Sequence, residues 1–336
     1  MNDHHAPSQA PAPEQPSDPA PVKPCCAASR QGAIAPPAPS MPAAGQAGQG
    51  RAAVLLPAAT FLMGTDYALA NKGDGEGPVR EVALSPFAID IHPVTNADFA
   101  AFVAATGYVT ESERYGTSFV FHAQVPDDRY DDLVEDTLAA APWWCLVRGA
   151  AWHAPEGPGS TIDGRMAHPV VHVSWNDAMA YCAWSAATLP TEAQWEYAAR
   201  GGLEQKLYPW GDELVPDGRH LCNVWQGEFP HVNTADDGYA ATCPVDAFAP
   251  NGHGLFSVTG NTWEWCADYW STAFTAGPSR DPQGPAHGTA RVMKGGSFLC
   301  HASYCNRYRP AARTMNTPDS AASNIGFRCV RPLSPA

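Results

Sequence analysis

The sequence predicts a single large irregular domain that mixes short strands with short helices and has low regular secondary structure. Three observations carry this. Glycine and proline number 29 and 33 among 336 residues, well above their combined usual share of about 12%, so much of the backbone must run as turns and loops. The stretches that do read as strands or capped helices are short, and no internal repeat or clean linker divides them after residue 50. Eleven tryptophans supply rings large enough to pin an irregular fold from within.

Residues 1–50 are mainly Ala, Pro, Gln, Ser and Gly. Such a stretch cannot bury enough apolar surface to offset its ordering entropy, so it reads as a disordered Ala/Pro-rich extension. Its Cys25, Cys26, His4 and His5 are a weak candidate for metal contact. Order is expected from Arg51, with residues 51–336 forming the domain. Residues 52–57 and 60–64 read as short strands around a turn, and residues 82–84 and 87–89 as a continuation of that sheet. Thr95 then caps a helix, with Asp98 at its third position, Phe99, Phe102 and Val103 on one face and Gly107 as the stop. Trp143, Trp144 and Trp152, with residues 155–158, read as an aromatic loop that fills core. His168 and His172 fall in a Val-rich stretch containing Pro169. Read as a strand, it separates the two rings by about 13 Å, too far to share an ion. A helix follows from Ser174, with Asp177 at its third position and Ala178, Tyr181 and Cys182 inward. Another starts at Thr191, where Gln194 completes a capping box, Trp195 and Ala198 face inward and Gly201 stops it.

A net charge of −14 argues against a nucleic-acid backbone or an anionic membrane as partner, since both reward clustered Lys and Arg. No window of 18 apolar residues is present to span a bilayer. The first residues lack the basic start and apolar run of a secretory signal, so a cytoplasmic location with mostly reduced cysteines is expected. Cys145, Cys222, Cys243 and Cys266 read as small core residues.

The candidate site is the stretch 294–305, KGGSFLCHASYC. Cys300 and Cys305 are surrounded by Ser297, His301, Ser303 and Tyr304, and Gly295 and Gly296 let the backbone turn in front of them. Spacing alone leaves a small-loop disulfide, two neighbouring thiols, or a soft-metal or redox pair. A second region, from Asn223 to Glu264, is rich in side-chain oxygens: Asn223, Asp236, Asp237, Asn251, Asn261 and Glu264. Hard cations such as Ca2+ take several such ligands from loops, although the spacing here is not that of an EF-hand.

From Arg291 the chain reads RVMKGGSFLCHASYCNRYRPAARTMNTPDSAASNIGFRCVR. The GGS, C-H-x-S-Y-C, R-Y-R, AAR, NTPDS-x-ASN and GFRC elements, with TGY-x-TE, SFVF and LPTEAQWEYAARGG earlier, occur in the order and spacing of one family. On these motifs the chain resembles the formylglycine-generating enzymes, the sulfatase-modifying factors, over about residues 51–333. The resemblance implies the C-type-lectin-like α+β fold of that family. It implies a copper-dependent oxidase that uses O2 to convert the cysteine of a C-x-P-x-R segment in a sulfatase to Cα-formylglycine. By the same resemblance, Cys300 and Cys305 bind Cu(I), and the client cysteine joins as a third sulfur. The client is then an unfolded or extended polypeptide, taken by a monomeric enzyme. Reduction of O2 to water takes four electrons and the substrate gives two, so an external reductant is implied.

Ser297, His301, Tyr304, Trp263 and Asn324 are further site candidates by their places in the matched motifs. One implied calcium site comprises Asn223, the Val224 carbonyl, Asp237 and the Tyr239 carbonyl. A second comprises Ser257, where the family commonly has Asn, the Gly260 and Thr262 carbonyls and the Glu264 side chain. Ala302 stands where the family often has a basic residue, and Ala199 and Pro310 replace cysteines that form a bridge in some members. Cys182 and Cys329 retain another family pair, as a disulfide or as packed thiols. The same fold hosts non-catalytic binding modules and iron-dependent sulfoxide synthases, and these stand as alternatives where fold is the only argument.

Overall fold

The computed structural model describes residues 28–30, 51–274, 277–331 and 333. Its strands run from two to eight residues and its α-helices from four to eleven, so the domain is loop-rich as the composition predicts and α+β as the resemblance implies. The N-terminal strands divide between two sheets where one was expected. Ala53–Leu56 pairs antiparallel with Phe87–Asp90, which also takes Val330–Arg331. Ala59–Met63 instead pairs with Arg80–Leu84. Pro57 and Pro86 lie at the two switches, where a residue without an N–H interrupts a ladder.

The three expected helices form where the local signals place them. Asn96–Thr106 is capped by a full Thr95–Asp98 box and ends at Gly107, whose φ is 66°. Trp175–Trp184 starts from Ser174 with Asp177, and Glu192–Arg200 from Thr191 with Gln194. Each box satisfies N–H groups that a helix start leaves open, worth about 1 kcal/mol. Phe99, Phe102 and Tyr181 meet at ring separations of 5.3 to 6.1 Å and form part of the main core.

Two expectations are corrected. Trp143 and Trp144 belong to a strand, Ala141–Arg148, between Thr117–Phe121 and Val134–Leu138. Strand alternation buries Trp144 completely and leaves Trp143 half-buried. Residues 168–173 are not a strand. Val170 N–H bonds to Val94 O, His172 N–H bonds to Ala322 O, and His172 takes a positive φ of 58°. These diverging partners bend the segment. His168 Nδ1 lies 3.0 Å from Thr242 Oγ1 and His172 Nδ1 2.8 Å from Ser118 Oγ, so the two rings are engaged separately.

A four-stranded sheet positions the site. Trp263–Tyr269 lies between Arg291–Lys294, antiparallel, and Ile325–Gly326, parallel. Arg313–Asn316 adds to the far side of Arg291–Lys294. Trp263 opposes Ile325, so Asn324 lies beside the start of one strand, and the glycine turn follows directly from Lys294. Beneath, Lys294 is wholly buried 3.0 Å from Glu196, and Arg313 makes two 2.7 Å bonds to Glu192. Desolvation of both charges offsets much of the Coulomb gain of such a buried pair, so it adds little net stability.

Cys145, Cys222, Cys243 and Cys266 are buried thiols. Cys182 and Cys329 are also thiols, packed with their sulfurs 3.7 Å apart. Most of the expected extension, including His4, His5, Cys25 and Cys26, lies outside the described residues. Ala28, Ser29 and Arg30 are described, and they rest against the domain.

Candidate active site

The backbone of residues 295–306 winds through two turns that carry both cysteines. Gly295 and Gly296 both take positive φ, 93° and 74°. A Cβ on Gly296 would sit 2.9 Å from Tyr308 Cα, so glycine is required for this close passage. The Ser297 carbonyl then accepts from Cys300 N–H at 2.9 Å. The His301 carbonyl accepts from the N–H groups of Tyr304, Cys305 and Asn306 at 3.1, 3.0 and 3.2 Å. Two successive turns thus carry the chain from Cys300 to Cys305. Both are buried thiols in one apolar cluster, and both bear electrostatically on the Tyr308 phenol, whose pKa burial pushes up. Trp225 N–H holds the Cys300 carbonyl and the Asn71 amide holds that of Cys305, each at 3.1 Å.

Ser297 and Asn324 are brought to the pair as expected. Ser297 N–H donates to Cys300 Sγ at 3.4 Å, an interaction that favours a thiolate over a thiol. Ser297 Oγ accepts from Asn324 Nδ2 at 3.0 Å and from Leu299 N–H at 3.3 Å. With both lone pairs taken, the hydroxyl proton is left to donate outward. Trp263 is fully buried, and its N–H bonds to the Asn324 carbonyl at 2.9 Å, so its main chain positions Asn324. Tyr304 is half-buried, edge-on to Trp143 and stacked on Phe229, both at 5.0 Å. His301 is engaged elsewhere: its Nδ1 lies 2.8 Å from Ser303 Oγ on the exposed side of the turn.

Sequence reasoning missed what holds the far side of the turn. Arg307 Nε lies 2.5 Å from Asp74 Oδ2, and Arg309 makes two bonds to Glu76 at 2.6 and 2.9 Å. The R-Y-R motif marked one half of this clamp. Its acidic half, in residues 71–76, carries no local signal of its partner.

The donor set bears on each implied metal. Among the described residues no three His, Cys, Asp or Glu side chains converge. The cysteine pair supplies two soft donors, a number and type that suit Cu(I) with room for a third sulfur. The first calcium set gathers in one loop cluster. Asp237 accepts from Val224 N–H at 3.0 Å and from Tyr239 N–H at 2.9 Å. Gln226 Nε2 bridges Asp237 and the Val224 carbonyl, placing positive hydrogens between oxygens as a cation would. Asn223 Oδ1 is buried with no partner among the described residues, and such an oxygen invites a cation.

The second set does not fit as expected. Glu264 is bound by Arg328 at 2.6 and 2.8 Å and by Trp195 Nε1 at 2.7 Å. The same guanidinium reaches the Phe256 and Ser257 carbonyls at 2.8 and 3.3 Å. Arg328 thus already supplies a buried positive charge at Glu264, and Coulomb repulsion opposes a dication on that carboxylate.

Fold and site together define a class: a loop-rich α+β domain with a buried thiol pair at the end of its central sheet. The chain belongs to the enzyme family described as the sulfatase-modifying factor enzyme 1-like domain, whose model matches residues 38–333. It is 62% identical over 280 residues to a formylglycine-generating enzyme of Thermomonospora curvata, covering 82% of this chain and 92% of that protein. It is 54% identical over 276 residues to the formylglycine-generating enzyme of Bos taurus, covering 82% and 73%. Among solved structures it resembles PvdO from Pseudomonas aeruginosa, with a TM-score of 0.62 at 25% identity over 84% of this chain and 94% of that one.

Proposed function

We propose that this chain converts the cysteine of a C-x-P-x-R segment in a sulfatase polypeptide to Cα-formylglycine. The reading holds that Cys300 and Cys305 bind Cu(I) and that O2 is the oxidant. The observation that carries it is a pair of buried thiols on one glycine-led turn, both bearing on the Tyr308 phenol, in a family whose near relatives are named formylglycine-generating enzymes. No side-chain acid or base can remove a hydrogen from an unactivated Cβ near neutral pH. Copper, when bound, supplies the redox chemistry that lets O2 react with a closed-shell thiol. In net terms the client thiol, O2, two electrons and two protons give the aldehyde, sulfide and one water.

The chain's own residues hold and orient. Ser297 N–H stabilises the Cys300 thiolate, and its hydroxyl, fixed by Asn324 and Leu299, offers a proton to a group arriving beside the sulfurs. Tyr304, Trp143 and Phe229 form an aromatic wall against which an extended client can lie. Asn223, Asp237 and the Val224 and Tyr239 carbonyls would hold one Ca2+, stiffening loops that have little ladder bonding of their own.

The test is aerobic incubation of the protein with Cu(I), a thiol reductant and a C-x-P-x-R peptide, followed by mass spectrometry. Loss of the peptide thiol with gain of an aldehyde is expected. An unchanged peptide on copper-loaded protein would sink the reading.

A further inference from the structure

Three residues of the N-terminal segment are held in place far from where their sequence position would suggest. Ala28 is fully buried within the same apolar cluster as Cys300 and Cys305. Its carbonyl accepts from Asn316 Nδ2 at 2.9 Å, and Ser29 Oγ donates to Asn316 Oδ1. Arg30 N–H donates to Ser320 Oγ at 2.8 Å. The Arg30 guanidinium donates to Thr117 Oγ1 at 3.2 Å and to the Thr117 carbonyl, and lies 4.0 Å from the centre of the Tyr115 ring. Asp319 and Glu111 add negative charge around it. This is a built arginine site, with a stacking face, hydroxyl and carbonyl acceptors and carboxylates nearby.

The loop that carries Asn316 and Ser320 continues to Asn324, which bonds Ser297 beside Cys300. One loop, residues 316–324, therefore touches the segment at one end and Ser297, beside Cys300, at the other. In sequence, residues 26–30 read Cys26-Ala27-Ala28-Ser29-Arg30. They keep the cysteine-to-arginine spacing of C-x-P-x-R, with alanine in place of proline. Cys26 and Ala27 lie outside the described residues.

Resting on the client proposed above, we infer that this segment is a client-like sequence carried in cis, with Ala28, Ser29 and Arg30 occupying the arginine end of the client's path. The tail competes with a sulfatase client for this arginine site. A tethered segment acts at an effective concentration on the order of millimolar, so even a weak intrinsic affinity of about 0.1 mM lowers apparent client affinity about tenfold.

The experiment uses the full chain and the Arg30→Glu variant, and measures anisotropy of a fluorescent C-x-P-x-R peptide whose cysteine is replaced by serine, so that no turnover is needed. Binding about tenfold tighter to R30E than to the unaltered protein is expected. A synthetic peptide of residues 24–32 should displace the probe from R30E. Equal probe affinity for both proteins, or failure of the synthetic peptide to compete, overturns the inference while leaving the oxidase reading intact. Absence of probe binding to either protein overturns the inference, because the tail then covers no client site, while turnover of the cysteine peptide tests the client reading separately.

Discussion

Arg309 grips Glu76 through both terminal nitrogens, at 2.6 and 2.9 Å, with both side chains buried. Beside it Arg307 meets Asp74, and Asn71 holds the Cys305 carbonyl. The loop 71–76 thus fixes the exit of the turn whose entry is set by Gly295 and Gly296. Glu76→Ala leaves a buried guanidinium unpaired, and such a break typically costs 3–5 kcal/mol. Chemical denaturation should show a loss on the order of 3 kcal/mol or more, and a neutral result would mean the clamp does not act as described.

Asn324 acts through Ser297. Asn324→Ala removes the bond that orients the Ser297 hydroxyl while leaving both cysteines in place. Misplacement of a reacting group by about 1 Å can cost on the order of 10²-fold in rate. The variant should lose peptide turnover by that order in kcat with little change in KM. An unaltered kcat would remove Ser297 from the account.

The two oxygen-rich sets are predicted to differ. Ca2+ added to chelator-treated protein should raise Tm, because a ligand that binds only the folded state stabilises it. Asp237→Ala should abolish that response. Glu264→Gln should lower stability, through the unpaired Arg328, yet keep whatever calcium response the protein has. If Glu264→Gln instead removes the response and Asp237→Ala does not, the assignment is reversed.

Two buried groups set opposing pH dependences. Burial holds the His172 pKa down at about 4, below its unfolded value of about 6.5. Its neutral form is therefore favoured in the fold, and stability from this group is lost as pH falls from 6.5 toward 4. Burial, with Glu111 nearby, pushes Asp177 up to about 7. Its protonated form is favoured in the fold, so stability from Asp177 is lost as pH rises from about 4 toward 7. His172→Gln should flatten the acid side of the stability profile, and Asp177→Asn the opposite slope. Urea midpoints across that range measure both, and unchanged slopes would contradict these assignments.

Helix starts at Thr95, Ser174 and Thr191 were legible because a capping box is written within four residues. The Cys300/Cys305 turn was legible for the same reason, through its two glycines and the motif around it. What could not be read was settled at long range. His172 is bent because its N–H finds Ala322, and Trp143 enters a strand because Thr117–Phe121 pairs beside it. Glu264 looked like a cation ligand in sequence, but Arg328, 64 positions away, already supplies the positive charge.

The central claim is that Cys300 and Cys305 together bind one copper ion and leave a place for a client sulfur. Cu(I) titration under anaerobic conditions, followed by X-ray absorption with and without a C-x-P-x-R peptide, addresses it most directly. The account predicts one tightly bound Cu(I) per chain, loss of that binding in Cys300→Ser and in Cys305→Ser, and one additional sulfur ligand when the peptide is present. Equal copper binding by the serine variants, or a sulfur count that the peptide does not change, would contradict it.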